Sequence, residues 1–304
     1  MKTILITGGS GLVGRKLSAF LIEKGYQVLW LSRQRDVKAD IPIYRWNFQQ
    51  KEIDRQSIEK ADVIIHLAGE NLAEGSWTKS KKQRIVESRV KTAEFLLEIT
   101  ESVHKKPEVF ISASAIGYYG MGAEEKIFSE DDDSSEDDFL SFTCQKWESA
   151  AFEFKKKLNI RTVVLRTGFV MAKNSKVFKK MTLPVRFGLG ATLGTGRQYF
   201  SWIHIDDLCR IYLKSIEDIE MQGVFNAVAP EFTTNSNFMK TLSKMMKRPF
   251  FMPKIPSFLI RLMLGEAAGM VLGGSRISVK KIQNAGFPFQ FGTLEKALRN
   301  VLEK

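Results

Sequence analysis

The chain has 304 residues, 44% of them apolar and 26% charged, which suits a globular protein with a substantial core and excludes a disordered or fibrous one. Its two cysteines and three histidines make neither a disulfide framework nor a metal-ligand spacing, so no metal is expected, and a cytoplasmic, reducing compartment is. The net charge of +12 comes from lysines in short scattered groups with no nucleic-acid motif beside them, which predicts a solvated basic surface and no nucleic-acid partner.

Lys2 and Thr3 lead directly into the apolar run Ile4-Leu5-Ile6, with no secretory leader pattern. Thr7-Gly8-Gly9-Ser10-Gly11-Leu12-Val13-Gly14 follows, and then Leu17, Phe20, Leu21 and Ile22 at helical spacing before Gly25. A strand, a glycine turn and a helix N-terminus in this order are the means of holding a dinucleotide pyrophosphate. Gly8 permits the sharp turn, Gly11 lets backbone approach phosphate, and Gly14 lets the helix pack on the strand. Leu12 and Val13 bring the first free helical N–H groups to the anion.

The second strand, Val28 to Leu31, ends in Ser32-Arg33-Gln34-Arg35. An acidic residue there would bind a free ribose 2′-hydroxyl. Arg33 with Ser32 instead offers forked, charge-assisted hydrogen bonds to a 2′-phosphate, which points to NADP(H); the alternative is that both arginines are solvated. A short strand at Ile43 to Trp46 follows, with Asn47 and Phe48 placed to meet the adenine. After a helix near Asp54 to Lys60, the strand from Val63 runs into Leu67-Ala68-Gly69, residues small enough for backbone to pass beside ribose and pyrophosphate.

A long helix is predicted around Lys79 to Val103, a strand from Val109 to Ser114, and an exposed acidic loop from Glu124 to Asp138. A helix over Phe139 to Lys157 and a strand over Thr162 to Arg166 follow, with Arg166 at the nicotinamide side. Continuous apolar strands separated by helices predict an α/β, doubly wound parallel Rossmann sheet covered on both faces. Beyond about Met171 the rhythm changes, and only Val224 to Val228 returns to the sheet. The expected division is a cofactor-binding domain of residues 1–172 plus about 203–229 and a smaller C-terminal α/β lobe of 173–202 plus 230–304.

The stretch Arg197 to Asp207 gathers donors and an aromatic face, as a pocket for a polar substrate would. Arg197 and Gln198 are taken as substrate-side residues and His204 as a structural hydrogen-bonding one. The plainer alternative has Trp202 and Ile203 in the core and Asp206 capping a helix from Leu208. The apolar tract Ile255 to Leu272 contains Arg261, Glu266 and several glycines, which predicts a packed amphipathic helix pair and not a membrane span.

The Gly-x-x-Gly-x-x-Gly spacing after Thr7 resembles the extended short-chain dehydrogenase/reductase superfamily of nucleotide-sugar epimerases and dehydratases. That resemblance implies a Ser or Thr after the fifth strand, which binds the reacting oxygen, and a Tyr-x-x-x-Lys on the next helix, whose Tyr is the acid/base. Ser114 is the better match for the hydroxyl. Leu140 and Cys144 stand at the Tyr and Lys places, the register two residues on gives Phe142 and Lys146, and Arg89 stands at the upstream Asn.

These departures resemble one subgroup, the atypical "epimerase family" proteins. The matching segments are Leu67 to Asn71, Glu87 to Val90, Ser112 to Gly120, Trp147-Glu148, Gly196 to Asp207, Leu264 to Glu266 and Ala285 to Phe287. The likeness runs nearly the whole chain. It implies NADPH binding, a missing Tyr-Lys pair and a short C-terminal domain of unassigned role; Asn47 stands where members often have an acid. Glu148 is expected to accept hydrogen bonds from cofactor hydroxyls, and Arg89 to neutralise pyrophosphate or bind that carboxylate. Tyr118 and Tyr119 are the nearest phenols for proton transfer, with packing or substrate contact as their alternative. The expected function is an NADP(H)-dependent oxidoreductase or epimerase on a small polar or nucleotide-sugar-like molecule. The alternative is a non-catalytic NADPH-binding protein read by a partner through the acidic loop.

Overall fold

The first strand, β1 (Thr3–Thr7), is buried along its whole length because β-strand residues that are apolar on both faces need cover on both faces. The computed structural model describes residues 1–33, 41–122, 126–133 and 138–303. Gln34, Arg35 and parts of the acidic run (Glu124, Glu125, Glu136 and Asp137) lie outside the described residues.

In chain order the elements of the large layer are α1 (Leu12–Glu23), β2 (Gln27–Ser32), β3 (Ile43–Asn47), β4 (Glu52–Ile53), α2 (Gln56–Lys60), β5 (Val63–His66), α3 (Lys79–Ser102) and β6 (Val109–Ala115). A 3₁₀ turn (Ile116–Tyr119), β7 (Ile127–Phe128), α4 (Phe139–Leu158) and β8 (Arg161–Thr167) follow. Then come β9 (Phe169–Met171), α5 (Lys176–Arg186), β10 (Trp202–His204), α6 (Ile205–Glu217) and β11 (Gly223–Ala227). The remainder is α7 (Asn235–Met245), α8 (Ser257–Leu264), a 3₁₀ turn (Gly265–Ala268), α9 (Gly269–Leu272), β12 (Arg276–Ile277), α10 (Lys280–Asn284) and α11 (Leu294–Leu302).

Eight strands form one sheet in the order β11-β8-β6-β5-β1-β2-β3-β4, parallel except for β4. From β1 the chain moves outward to β2 on one side and later to β5 on the other, so the connections diverge at the carboxyl ends of β1 and β5. In open α/β sheets that divergence is where a ligand crevice opens. One apolar cluster under α1 and α6 includes Ile4, Ile6, Leu17 and Leu208; a second under α3 and α4 includes Leu5, Ile64, Leu96 and Phe154. This is the doubly wound arrangement read from the sequence.

A third cluster joins Met171, Phe178, Trp202, Phe238 and Leu298, so β9, α5, β10, α7 and α11 share a core of their own. Asp207, fully buried at the start of α6, fastens residues 290–291 to the sheet layer. Its carboxylate accepts from the Gln290 N–H at 2.9 Å, the Phe291 N–H at 2.8 Å and Arg210 at 2.9 Å.

Two expectations are corrected. The acidic run is not simply an exposed loop: Asp138 accepts from the Leu140 and Ser141 N–H groups to start α4, and the half-buried Glu130 accepts from the Asn226 N–H at 2.8 Å. Its carboxyl is pushed up by burial. The tract 255–272 does form two short helices, but of α8 only Ile260 is buried. Among the described residues no helix is long and apolar enough to cross a membrane, and no three His, Cys, Asp or Glu gather as a metal site.

Replacing Asp207 by Ala would take this acceptor from the part-buried Gln290 and Phe291 N–H groups and from the Arg210 guanidinium. It should lower unfolding free energy by about 3 kcal/mol, read from the urea midpoint at constant slope.

Candidate cofactor and catalytic site

Gly8 has φ +70°, and a Cβ on it would lie 2.8 Å from the Leu67 carbonyl; one on Gly14 would lie 2.4 Å from the Gly8 oxygen. Internal packing therefore demands both glycines. Gly11 differs, because a Cβ there would meet only the Gly8 oxygen, at 3.2 Å, among the described residues. Its other side is open.

Gly11 begins α1 with no capping side chain and no acid in the first turn. The five other helices of eleven or more residues are each capped, by Thr78, Asp138, Ser175, His204 and Thr234. Free N–H groups at a helix start attract an anion. Beside them is a cleft of about 900 Å³ whose lining includes Ser10, Gly11, Leu12, Arg15, Asn71 and Asn300. The residues present thus fit a dinucleotide pyrophosphate. Half-buried Val13 continues the same turn.

The facing segment, Leu67-Ala68-Gly69, is held from below. Thr7 Oγ1 accepts from the Leu67 and Ala68 N–H groups at 3.2 and 3.1 Å and lies 2.8 Å from His66 Nδ1. With its lone pairs so used, the Thr7 hydroxyl donates to Nδ1, and the imidazole proton sits on Nε2, near Thr92 Oγ1 (3.2 Å) and the Arg89 carbonyl (3.4 Å). Burial holds the His66 pKa down to about 4.

Arg89 is buried against Gly69, over the Trp147 ring, and donates to the Ile85 and Glu70 carbonyls at 3.0 and 3.1 Å. It pins the Gly69-Glu70 backbone to α3. The expected Arg89–Glu148 pair is not formed. Arg166 takes that part, through bidentate hydrogen bonds at 2.9 and 2.8 Å to a carboxylate that also accepts from the Ser114 hydroxyl at 2.6 Å.

Arg166 donates further to Tyr119 at 2.9 Å, and Tyr119 to Asn226 Oδ1 at 2.8 Å. Burial pulls the Arg166 guanidinium down, yet its bonds to Glu148 and Tyr119 hold it above the ordinary range. Burial also pushes the Tyr119 phenol up to about 12 and the Cys144 thiol up to about 12. Tyr118 lies half-buried with its ring 3.3 Å from the Arg166 guanidinium carbon.

The remaining residues divide. Arg33, beyond half-buried Ser32 at the end of β2, is exposed and makes no ion pair with a described residue. Arg197 is also exposed. Gln198 is a correction: it is buried, and its amide donates to the Leu193 and Val271 carbonyls at 3.0 and 3.1 Å, so it closes its loop and cannot reach a substrate. Asn47 accepts from the Gln49 and Gln50 N–H groups and shapes its own turn. His204, not Asp206, caps α6, and its Nε2 lies 3.1 Å from Asn300 Oδ1.

Residues 4–227 match the NAD dependent epimerase/dehydratase family, and residues 255–301 match a domain of unknown function, DUF1731. The chain belongs to the NAD dependent epimerase/dehydratase family. It is 34% identical over 300 residues to the Bacillus subtilis epimerase family protein YfhF, covering 98% of this chain and 97% of that one. The human epimerase family protein SDR39U1, isoform 2, crystallised with NADPH, superimposes with a TM-score of 0.87 at 29% identity, covering 98% of each chain. A nucleoside-diphosphate sugar epimerase from Corynebacterium glutamicum superimposes with a TM-score of 0.79 at 30% identity, over 99% of this chain and 58% of that one.

Within this epimerase/dehydratase family member, the polar chain beyond Glu148 was not anticipated. Asn226 was the available signal, a lone amide inside the buried strand Val224-Phe225-Asn226-Ala227. Buried polar groups need partners, and its position across β8 points at Arg166.

Because the folded His66 pKa, about 4, lies below the ordinary 6.5, the neutral ring stabilises the fold fully above about pH 6.5. That contribution, on the order of 3 kcal/mol, should be lost as pH falls from 6.5 through 4. Urea midpoints across that window check it, and a His66→Gln chain should show a flatter slope.

Proposed function

We propose that the chain binds NADP(H) at the carboxyl ends of β1, β2 and β5 and works as an oxidoreductase or epimerase on a small polar, nucleotide-sugar-like molecule. The observation that carries this reading is the uncapped start of α1 at Gly11, opening on the 900 Å³ cleft while the other long helices are capped. NADPH in the human relative's crystal and the sugar-nucleotide name of the Corynebacterium protein support it.

In this reading Gly8, Gly11, Leu12, Val13, Leu67, Ala68 and Gly69 supply the backbone cradle, and Ser32 with Arg33 receives the 2′-phosphate. Arg89 holds the cradle from behind, and the Glu148–Arg166 pair fixes the end of β6. Bound there, the nicotinamide supplies hydride transfer. The Ser114 hydroxyl donates to Glu148, so towards a substrate its oxygen is an acceptor suited to a hydroxyl. Tyr118 is the phenol left for proton transfer, and exposed Arg197 is the substrate-side cation on the lobe of residues 173–202 plus 230–304. The free thiols Cys144 and Cys209 are both buried and suit a cytoplasmic setting.

A second reading, a cofactor-binding protein without turnover, is favoured by the closed Ser114–Glu148–Arg166 arrangement and by Cys144 standing where the superfamily's pair would be.

Calorimetric titration should show NADPH bound more tightly than NADH, with Arg33→Glu abolishing the preference; an unchanged preference removes Arg33 from the phosphate role. Pools of sugar nucleotides and carbonyl compounds should then oxidise the bound NADPH, as followed by its absorbance. Ser114→Ala should lose that turnover while still binding NADPH. Tight binding with no oxidation by any pool would remove the oxidoreductase and favour the second reading or a redox-neutral epimerase.

A further inference from the structure

Helix α8 has six large apolar residues, of which only Ile260 is buried; Leu262 and Met263 are each 81% exposed and Phe258 67%. Phe251, just before it, is 73% exposed. A folded protein seldom leaves so many large side chains in water on one short element.

A second exposed group comes from the end of α5 and the loop after it, Leu183, Phe187 and Leu189. Backbone contacts tie the two segments together. Leu193 bridges to Ile255, the Gly194 N–H donates to the Ile255 carbonyl at 2.8 Å, and Gly188 and Gly190 pack near Pro249 and Phe250.

The charges along these two segments are of one sign, although Lys244 of α7 is paired with Glu295 of α11. Between Glu231 and Glu266 the chain has Lys240, Lys244, Lys247, Arg248, Lys254 and Arg261 and no acid, and from Phe154 to Ile205 there is again none. Lys179, Lys180 and Arg186 are exposed beside the second segment. Glu266 itself is paired with Lys82.

From this we infer that α8 and the adjoining 183–189 segment form a docking surface for an anionic lipid bilayer. Exposed Phe, Leu and Met enter the headgroup boundary while the surrounding cations meet lipid phosphates. A second copy of the chain is disfavoured as the occupant, since a twofold contact would bring two like-charged rims together.

The test is co-sedimentation of the purified full chain with vesicles of phosphatidylcholine alone and of phosphatidylcholine mixed with phosphatidylglycerol. The chain should pellet with the mixed vesicles, less so at raised ionic strength, and not with the neutral ones. Phe258→Glu with Leu262→Glu should weaken pelleting by about tenfold or more. The substituted side chains are exposed, so thermal unfolding and NADPH titration should be unchanged. Lys254→Glu with Arg261→Glu should also weaken it and reduce its salt dependence. Failure to pellet with the mixed vesicles, or pelleting unaffected by the Phe258 and Leu262 changes, would overturn the inference. So would light scattering that shows a dimer which those changes split, because the patch would then belong to a second copy.

Discussion

The seam between β1 and β5 is the constraint on which the rest of the site depends. Here the Gly8 backbone passes so close to Leu67 that any Cβ would overlap it, and one Thr7 oxygen holds both N–H groups of the opposing turn. The two walls of the cradle are thus fixed to each other by backbone contact and by a buried hydroxyl–imidazole bond, before any ligand arrives. Such preorganisation lowers the ordering cost of binding. It also explains why His66, which touches no part of the cleft lining, must stay neutral: a proton on Nδ1 would oppose the hydroxyl that holds the turn.

At the other end of the site Leu140 and Cys144 hold the places of a Tyr-Lys pair, and one turn beyond Cys144 Glu148 enters an ion pair turned inward. The Glu148 carboxylate accepts from Ser114 and, twice, from Arg166, and the guanidinium goes on to Tyr119. A buried pair so fully hydrogen-bonded is costly to break from one side, since the partner would be left charged and unsolvated. It is therefore better suited to fixing the positions of Ser114 and Tyr118 than to shuttling protons.

Most of the fold was legible in the sequence because parallel strands buried on both faces read as unbroken apolar runs. The starts of helices α3 and α4 at Lys79 and Phe139 were read at the same residues. The cofactor side was legible for a related reason, since glycines are required by backbone geometry and so leave a fixed spacing. What escaped the reading were pairings between distant side chains. Arg89 and Arg166 both stood at plausible distances from Glu148 in the chain, and only the register of β8 beside β6 places Ser114 next to Arg166. Gln198 was misassigned because a polar residue near a glycine-rich turn reads the same whether it faces a ligand or its own backbone. The exposure of α8 escaped too, because an apolar tract reads as core unless its surroundings are known.

The cleft beside the glycine turn draws its lining from Ser10 near one end of the chain and from Asn300 on α11 near the other. Contacts of such sequence separation close late in folding, after the elements between them have found their places. On a ribosome, α11 emerges after every strand of the sheet. The glycine turn is therefore made well before the wall opposite it, and the two sides of the cleft meet only once α11 has docked. A ligand that needs both sides adds its stabilisation only to chains in which α11 has docked.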